Sequence, residues 1–137
     1  MQGSFRMAHL VVGAIAVVAF LITGQVMGRL DPPVADMEWA ERLLFRSRHI
    51  YILAAGLVNL ALGVNYQLPA GAARRGMAVA GSLLVLASAL LLFFAFFAEP
   101  MAGRWPGPLS MLGLQAMFGG VLLYTVVNLR HRPGRTT

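Results

Sequence analysis

Residues 77–98, MAVAGSLLVLASALLLFFAFFA, decide the fold class. The stretch contains no Asp, Glu, Lys or Arg, and as a helix it is about 33 Å long, enough to cross a bilayer core of about 30 Å. Three further runs, residues 7–28, 49–68 and 109–129, are also free of those four residue types and long enough to span. The whole chain agrees with that reading. It has 137 residues, 58% of them hydrophobic and only 12% charged, about half the charged fraction of an ordinary soluble domain. This length accommodates four spans with short connections and no separate soluble domain, so one integral membrane domain is expected.

The first run also has the apolar stretch of a signal peptide behind Arg6. No small-residue cleavage pattern with Ala at both positions follows, and apolar character resumes at Val26 and Met27, which favours a span. Pro69 and Gly71 end the second run, while Pro100, Pro106, Gly107 and Pro108 mark the last loop. Between the first two runs, Asp31, Pro32 and Pro33 interrupt the chain. Pro33 then suits the first turn of a short interfacial helix running through Met37, Trp39, Leu43, Leu44 and Phe45. The expected architecture is therefore all-α: a four-transmembrane-helix up-down bundle with a short interfacial helix between the first and second spans.

The net charge is +6 and every basic residue is Arg. Its distribution argues for topology rather than nucleic-acid binding. Arg6, Arg74, Arg75, Arg130, Arg132 and Arg135 share the side of the termini and the second loop, with no acid among them. The other side sets Arg29, Arg42, Arg46, Arg48 and Arg104 against Asp31, Asp36, Glu38, Glu41 and Glu99. The positive-inside bias places both termini in the cytoplasm, and Trp39 and Trp105 in outer loops at headgroup level. Abundant Arg, Ala and Gly without Lys suits a high-GC bacterial source, hence a bacterial cytoplasmic (inner) membrane. The basic tail at 130–135 reads as an anchor on anionic lipid.

Helical spacing collects small and polar residues into stripes. The second span gives His49, Ile52, Gly56, Asn59, Gly63 and Tyr66; the third Ala78, Gly81, Val85, Ser88, Leu92 and Ala95; the first His9, Gly13, Ala16, Phe20 and Thr23. Lipid offers helices no hydrophobic reason to associate, so such stripes are expected at helix contacts. A Gly24/Gly28 pair at the outer end of the first span has GxxxG spacing, read either as homodimer contact or as packing within the chain. On the fourth span, Gln115 and Thr125 lie opposite Tyr124 and Asn128. Two polar faces imply two sets of neighbours, and hence a homo-oligomer or a membrane partner subunit.

The chemistry is sparse. Zero cysteines exclude disulfides, thiolate metal sites and a Cys nucleophile. His9 and His49 fall at opposite ends of their spans, too far apart to share a haem iron, and His131 is flanked by Arg130 and Arg132. Met27, Met37, Met101 and Met111 with His49 make a loose Cu(I) set without tight spacing, and Met equally fills packing gaps. No metallohydrolase, lipase-elbow or phosphate-loop motif occurs, and no span offers an acid to a Ser or His. Small multidrug exporters share the four-helix size, but their first-helix Glu has no counterpart here. No catalytic, cofactor or metal residue is therefore assigned. The candidate polar core or outer mouth is Asn59 near the midplane, with Arg46, Arg48, His49, Glu99, Gln25 and Gln115 toward the outer end.

Arg46, Ser47, Arg48 and His49, opening the second span, place an Arg beside a His. This resembles the Arg-x-x-Arg-Ala-His-x-Asn-x-x-Glu signature of the MAPEG glutathione-dependent membrane enzymes. The Ala is missing, Tyr51 stands where the signature has Asn, and Ala54 where it has Glu. The resemblance implies glutathione binding near Arg46 and Arg48. Three readings follow: a non-enzymatic oligomeric or accessory interaction bundle, which leads; a small channel or transporter with a polar path through Asn59; and a MAPEG-like enzyme.

Overall fold

A computed structural model describes residues 1–102 and 107–129; Arg104, Trp105, His131 and the basic tail at 130–135 lie outside them. Four helices run in sequence: α1 (Gln2–Arg29), α2 (Trp39–Asn65), α3 (Ala72–Ala98) and α4 (Pro108–Leu129). All four are long and apolar enough to cross a membrane. Helices α2 and α3, at 27 residues each, reach about 40 Å, so they tilt or extend into the headgroups. The breaks follow local chemistry. Gly71 adopts φ +89° just before α3, a left-handed conformation open to glycine. Pro108 begins α4, where its missing N–H costs nothing.

The connection before α2 differs from expectation. Residues 34–36 form one 3-10 turn, and α2 starts at Trp39 and continues unbroken to Asn65. No Pro or Gly lies between Glu38 and Ala55. A helix begun at Trp39 therefore meets no breaker: Trp39, Leu43, Leu44 and Phe45, expected in a separate interfacial helix, become the first turns of α2, while Pro33 and Met37 flank the 3-10 turn.

Two close-packed hairpins make up the bundle, α1 with α2 and α3 with α4. Glycines set both seams. A methyl group at Gly13 would come within 2.8 Å of the Leu60 amide nitrogen, and one at Gly81 within 2.8 Å of the Gly120 carbonyl, so hydrogen in place of Cβ lets these backbones touch. Helices α2 and α3 join the hairpins, α1 also reaches α3, and α4 meets α2 only sparsely. The stripes expected from spacing coincide with the buried faces: His9, Gly13, Ala16 and Thr23 of α1, and all six of the α3 set. The opposite faces expose Ile15, Leu21, Leu57, Leu83, Leu90, Phe94 and Leu122, as hydrocarbon-facing surfaces should.

Candidate functional site

Two polar centres occupy the bundle, one toward the end carrying Gln2 and one at the end carrying Arg29. The first gathers one side chain from each of three helices. His9 on α1 bonds through Nδ1 to Asn59 Oδ1 on α2 at 2.7 Å, and through Nε2 to Ser82 Oγ on α3 at 2.6 Å. All three are fully enclosed, at 0% exposure. The Asn59 amide nitrogen donates to the Ala55 carbonyl at 2.9 Å and the Val85 carbonyl at 3.3 Å, which turns its oxygen toward His9. An oxygen acceptor there requires the proton on Nδ1, leaving Nε2 to accept from the Ser82 hydroxyl when the ring is neutral.

Tyr66 closes this centre toward the Gln2 end. Its ring lies 5.6 Å from His9, 5.5 Å from Tyr124 and 5.9 Å from Phe5, centre to centre. The Tyr66 hydroxyl is buried, with the Ser82 hydroxyl close enough to interact with it and no other partner among the described residues. Tyr124 is fixed differently: its hydroxyl accepts from the Gln67 amide at 2.7 Å and donates to the Gln67 carbonyl at 2.9 Å. Beyond Tyr124, a groove of about 540 Å³ opens between α2 and α4, lined by Val58, Leu62, Asn65, Val121 and Asn128 among others.

The second centre is ionic. Arg48 Nε donates to Glu99 Oε2 at 3.1 Å, and the pair is almost wholly buried, at 1% and 2% exposure. The Glu99 carboxylate also accepts the Ser110 amide at 2.9 Å and the Ser110 hydroxyl through a short bond. Arg48 Nη1 donates to Ser47 Oγ at 3.0 Å. Burial alone would raise the Glu99 pKa, but the Ser110 hydroxyl and amide and the Arg48 guanidinium together favour the charged form and hold it below the ordinary value. A Cβ on Gly107 would collide with this carboxylate. The site therefore needs glycine there for space.

His49 belongs to neither centre. Its Nδ1 pairs with Thr23 Oγ1 at 2.9 Å, and its ring stacks 4.0 Å from Phe20, with Phe96 nearby. Because the Thr23 hydroxyl donates to the Phe20 carbonyl, its oxygen accepts from His49. The expected outer-mouth residues thus separate. Arg48 and Glu99 meet, His49 sits in its own aromatic pocket, Asn59 joins the deeper centre, and Arg46, Gln25 and Gln115 are exposed. Arg46 and Arg48 do not form a common face, since one is exposed and the other buried against Glu99.

Sequence reasoning left Ser82, Ser110 and Tyr66 out of the site and treated His9 only as a packing residue or a rejected haem ligand. A usable signal existed. Read from Ala78 at spacings of four and three, α3 gives Ala78, Ser82, Val85, Ala89, Leu92 and Phe96, every one buried, a row that brings Ser82 to His9 and the Val85 carbonyl to Asn59. Among the described residues, no group of three or more His, Asp or Glu converges as a metal site would require. Compared with known protein families, curated proteins and solved structures, the chain matches none.

Proposed function

We propose that this protein is a polytopic interaction bundle that works by assembly, as a homo-oligomer or as an accessory subunit, with α4 as its contact helix. The carrying observation is Gln115. The residue is exposed about 10 Å along α4 from Pro108, at a depth where hydrocarbon would surround it. An amide there gains most from a second helix that can pair with it. Two features support the same face: α4 leans on α3 and little else, and Gly119, one turn beyond Gln115, has open space around it. Asn59, by contrast, has its oxygen and nitrogen both engaged within the bundle, which favours a packing role over a solute ligand.

The arginine distribution supports cytoplasmic termini, and abundant Arg, Ala and Gly without Lys supports a bacterial inner membrane. The test is native mass spectrometry of the detergent-purified protein beside its Gln115→Leu variant. A defined oligomer, or a retained companion subunit, that dissociates in the variant supports the proposal. A monomer at every concentration, in detergent and in lipid nanodiscs, overturns it.

A further inference from the structure

The geometry points to a nucleophile centre at Ser82, with His9 as its general base and Asn59 as the residue that positions the base, acting on an acyl ester carried by a membrane-soluble molecule. This reading is independent of the assembly proposed above. It rests on atom order: a hydroxyl on Nε2, an oxygen acceptor on Nδ1, and that acceptor held by two backbone carbonyls. A nucleophile, a base within hydrogen-bond reach and a third group orienting the base are the signature of an activated serine. Asn59 takes the place of an acid, which is why a search for carboxylates in the spans does not find the set.

A second, separate observation points to a ligand. Tyr66 is buried, at 4% exposure; its enclosed hydroxyl has no other partner among the described residues and lies beside the Ser82 hydroxyl, close enough to interact with it. A hydroxyl donor beside a nucleophile, with no competing partner besides it, is the group a developing oxyanion requires. The centre lies among spanning helices, so what reaches it arrives through the bilayer. The groove between α2 and α4 gives the approach: its walls include Val58, Leu62 and Val121, and Tyr124 lines it. The Tyr124 ring at the groove stacks on Tyr66, whose ring in turn lies against His9, so the proposed approach to the enclosed Ser82 runs past these rings.

In the reaction, Ser82 Oγ attacks the ester carbonyl carbon while its proton passes to His9 Nε2. The carbonyl oxygen takes the negative charge and accepts a hydrogen bond from Tyr66. The ester C–O bond then breaks, and His9 returns the proton to the departing alkoxide, leaving an acyl ester on Ser82. Water attacks that ester by the same route, His9 accepting its proton, and a carboxylic acid leaves as Ser82 is restored.

The test uses a fluorophosphonate with a long alkyl chain, applied to the full-length protein in lipid vesicles, with mass spectrometry locating the adduct. The expected result is phosphonylation of Ser82, absent in Ser82→Ala and slowed about 100-fold or more in His9→Ala. Asn59→Asp keeps the acceptor and retains labelling, whereas Asn59→Leu loses it. Unlabelled Ser82 in the natural protein overturns the proposal. Labelling that is undiminished in a folded His9→Ala variant overturns it equally.

Discussion

Glu99 caps the helix that follows it: its carboxylate accepts the backbone amide of Ser110, 2.9 Å away in the first turn of α4. A negative charge at a helix N-terminus satisfies a free amide and opposes the positive end of the helix dipole. The same carboxylate neutralises Arg48 of α2. One side chain thus ties three helices at the Arg29 end.

Removing one member of that pair takes from the other the opposite charge it is buried against. Glu99→Gln and Arg48→Met are each expected to cost about 3–5 kcal/mol. The double variant should lose clearly less than the two costs added together, because neither charge is then left alone. Thermal unfolding in detergent measures all three; strict additivity would show that the two residues act separately.

Acid should act through the same carboxylate. Its folded-state pKa lies below 4.5, so its contribution is fully present above the unfolded value and is lost as pH falls through the folded one. The unfolding temperature of the natural protein should therefore drop on titration from neutrality to well below pH 4.5. The same titration of Glu99→Gln should be flatter, and an identical slope in both would assign the acid sensitivity elsewhere.

The seam between α3 and α4 is expected to tolerate no methyl group. At Gly120 a Cβ would come within 2.6 Å of the Gly81 carbonyl, so Gly120→Ala should separate the helices at a cost of about 1–3 kcal/mol. Gly76→Ala is the matched control, for nothing lies within 4 Å of its added carbon; there, loss of glycine entropy should stabilise α3 by up to about 1 kcal/mol. Equal effects at the two positions would mean that the seam is looser than described.

Asn59→Leu should destabilise the bundle by about 1–2 kcal/mol, the scale of a hydrogen bond between membrane helices. It leaves the His9 Nδ1 proton with no acceptor from α2. Nitrogen NMR of labelled histidine gives a second readout: the Nδ1-protonated tautomer should dominate in the natural protein and lose that dominance in the variant. An unchanged tautomer population would show that another group fixes the ring.

Patterning alone carried the architecture far. Runs without charges marked the four spans, and spacing along α1 and α3 picked out faces that are buried. Boundaries were harder, because α2 starts ten residues before its uncharged run: Arg42, Arg46 and Arg48 punctuate a stretch that stays helical since nothing in it breaks a helix. The polar centres were less legible still. Asn59 stood out as an amide at mid-span, but its partners lie 50 residues away on α1 and 26 away on α3, and a single chain reveals no such pairing. Glu99 and Arg48 were both singled out, yet only the approach of α4 supplies the Ser110 bonds that complete their site.

Two kinds of contact act together in assembly. Within each hairpin the helices meet through glycine and small side chains, and are tied as well by His9 to Asn59, Thr23 to His49 and Glu99 to Ser110. Between the hairpins the links are directional too: His9 to Ser82, Asn59 to the Val85 carbonyl, Arg48 to Glu99, and Tyr124 to Gln67. They are distributed from one end of the bundle to the other. A shift of one hairpin against the other by a single residue would break these links together, so the alignment of the two halves is set in an all-or-none manner, and a misaligned intermediate keeps none of the bonds that would hold it.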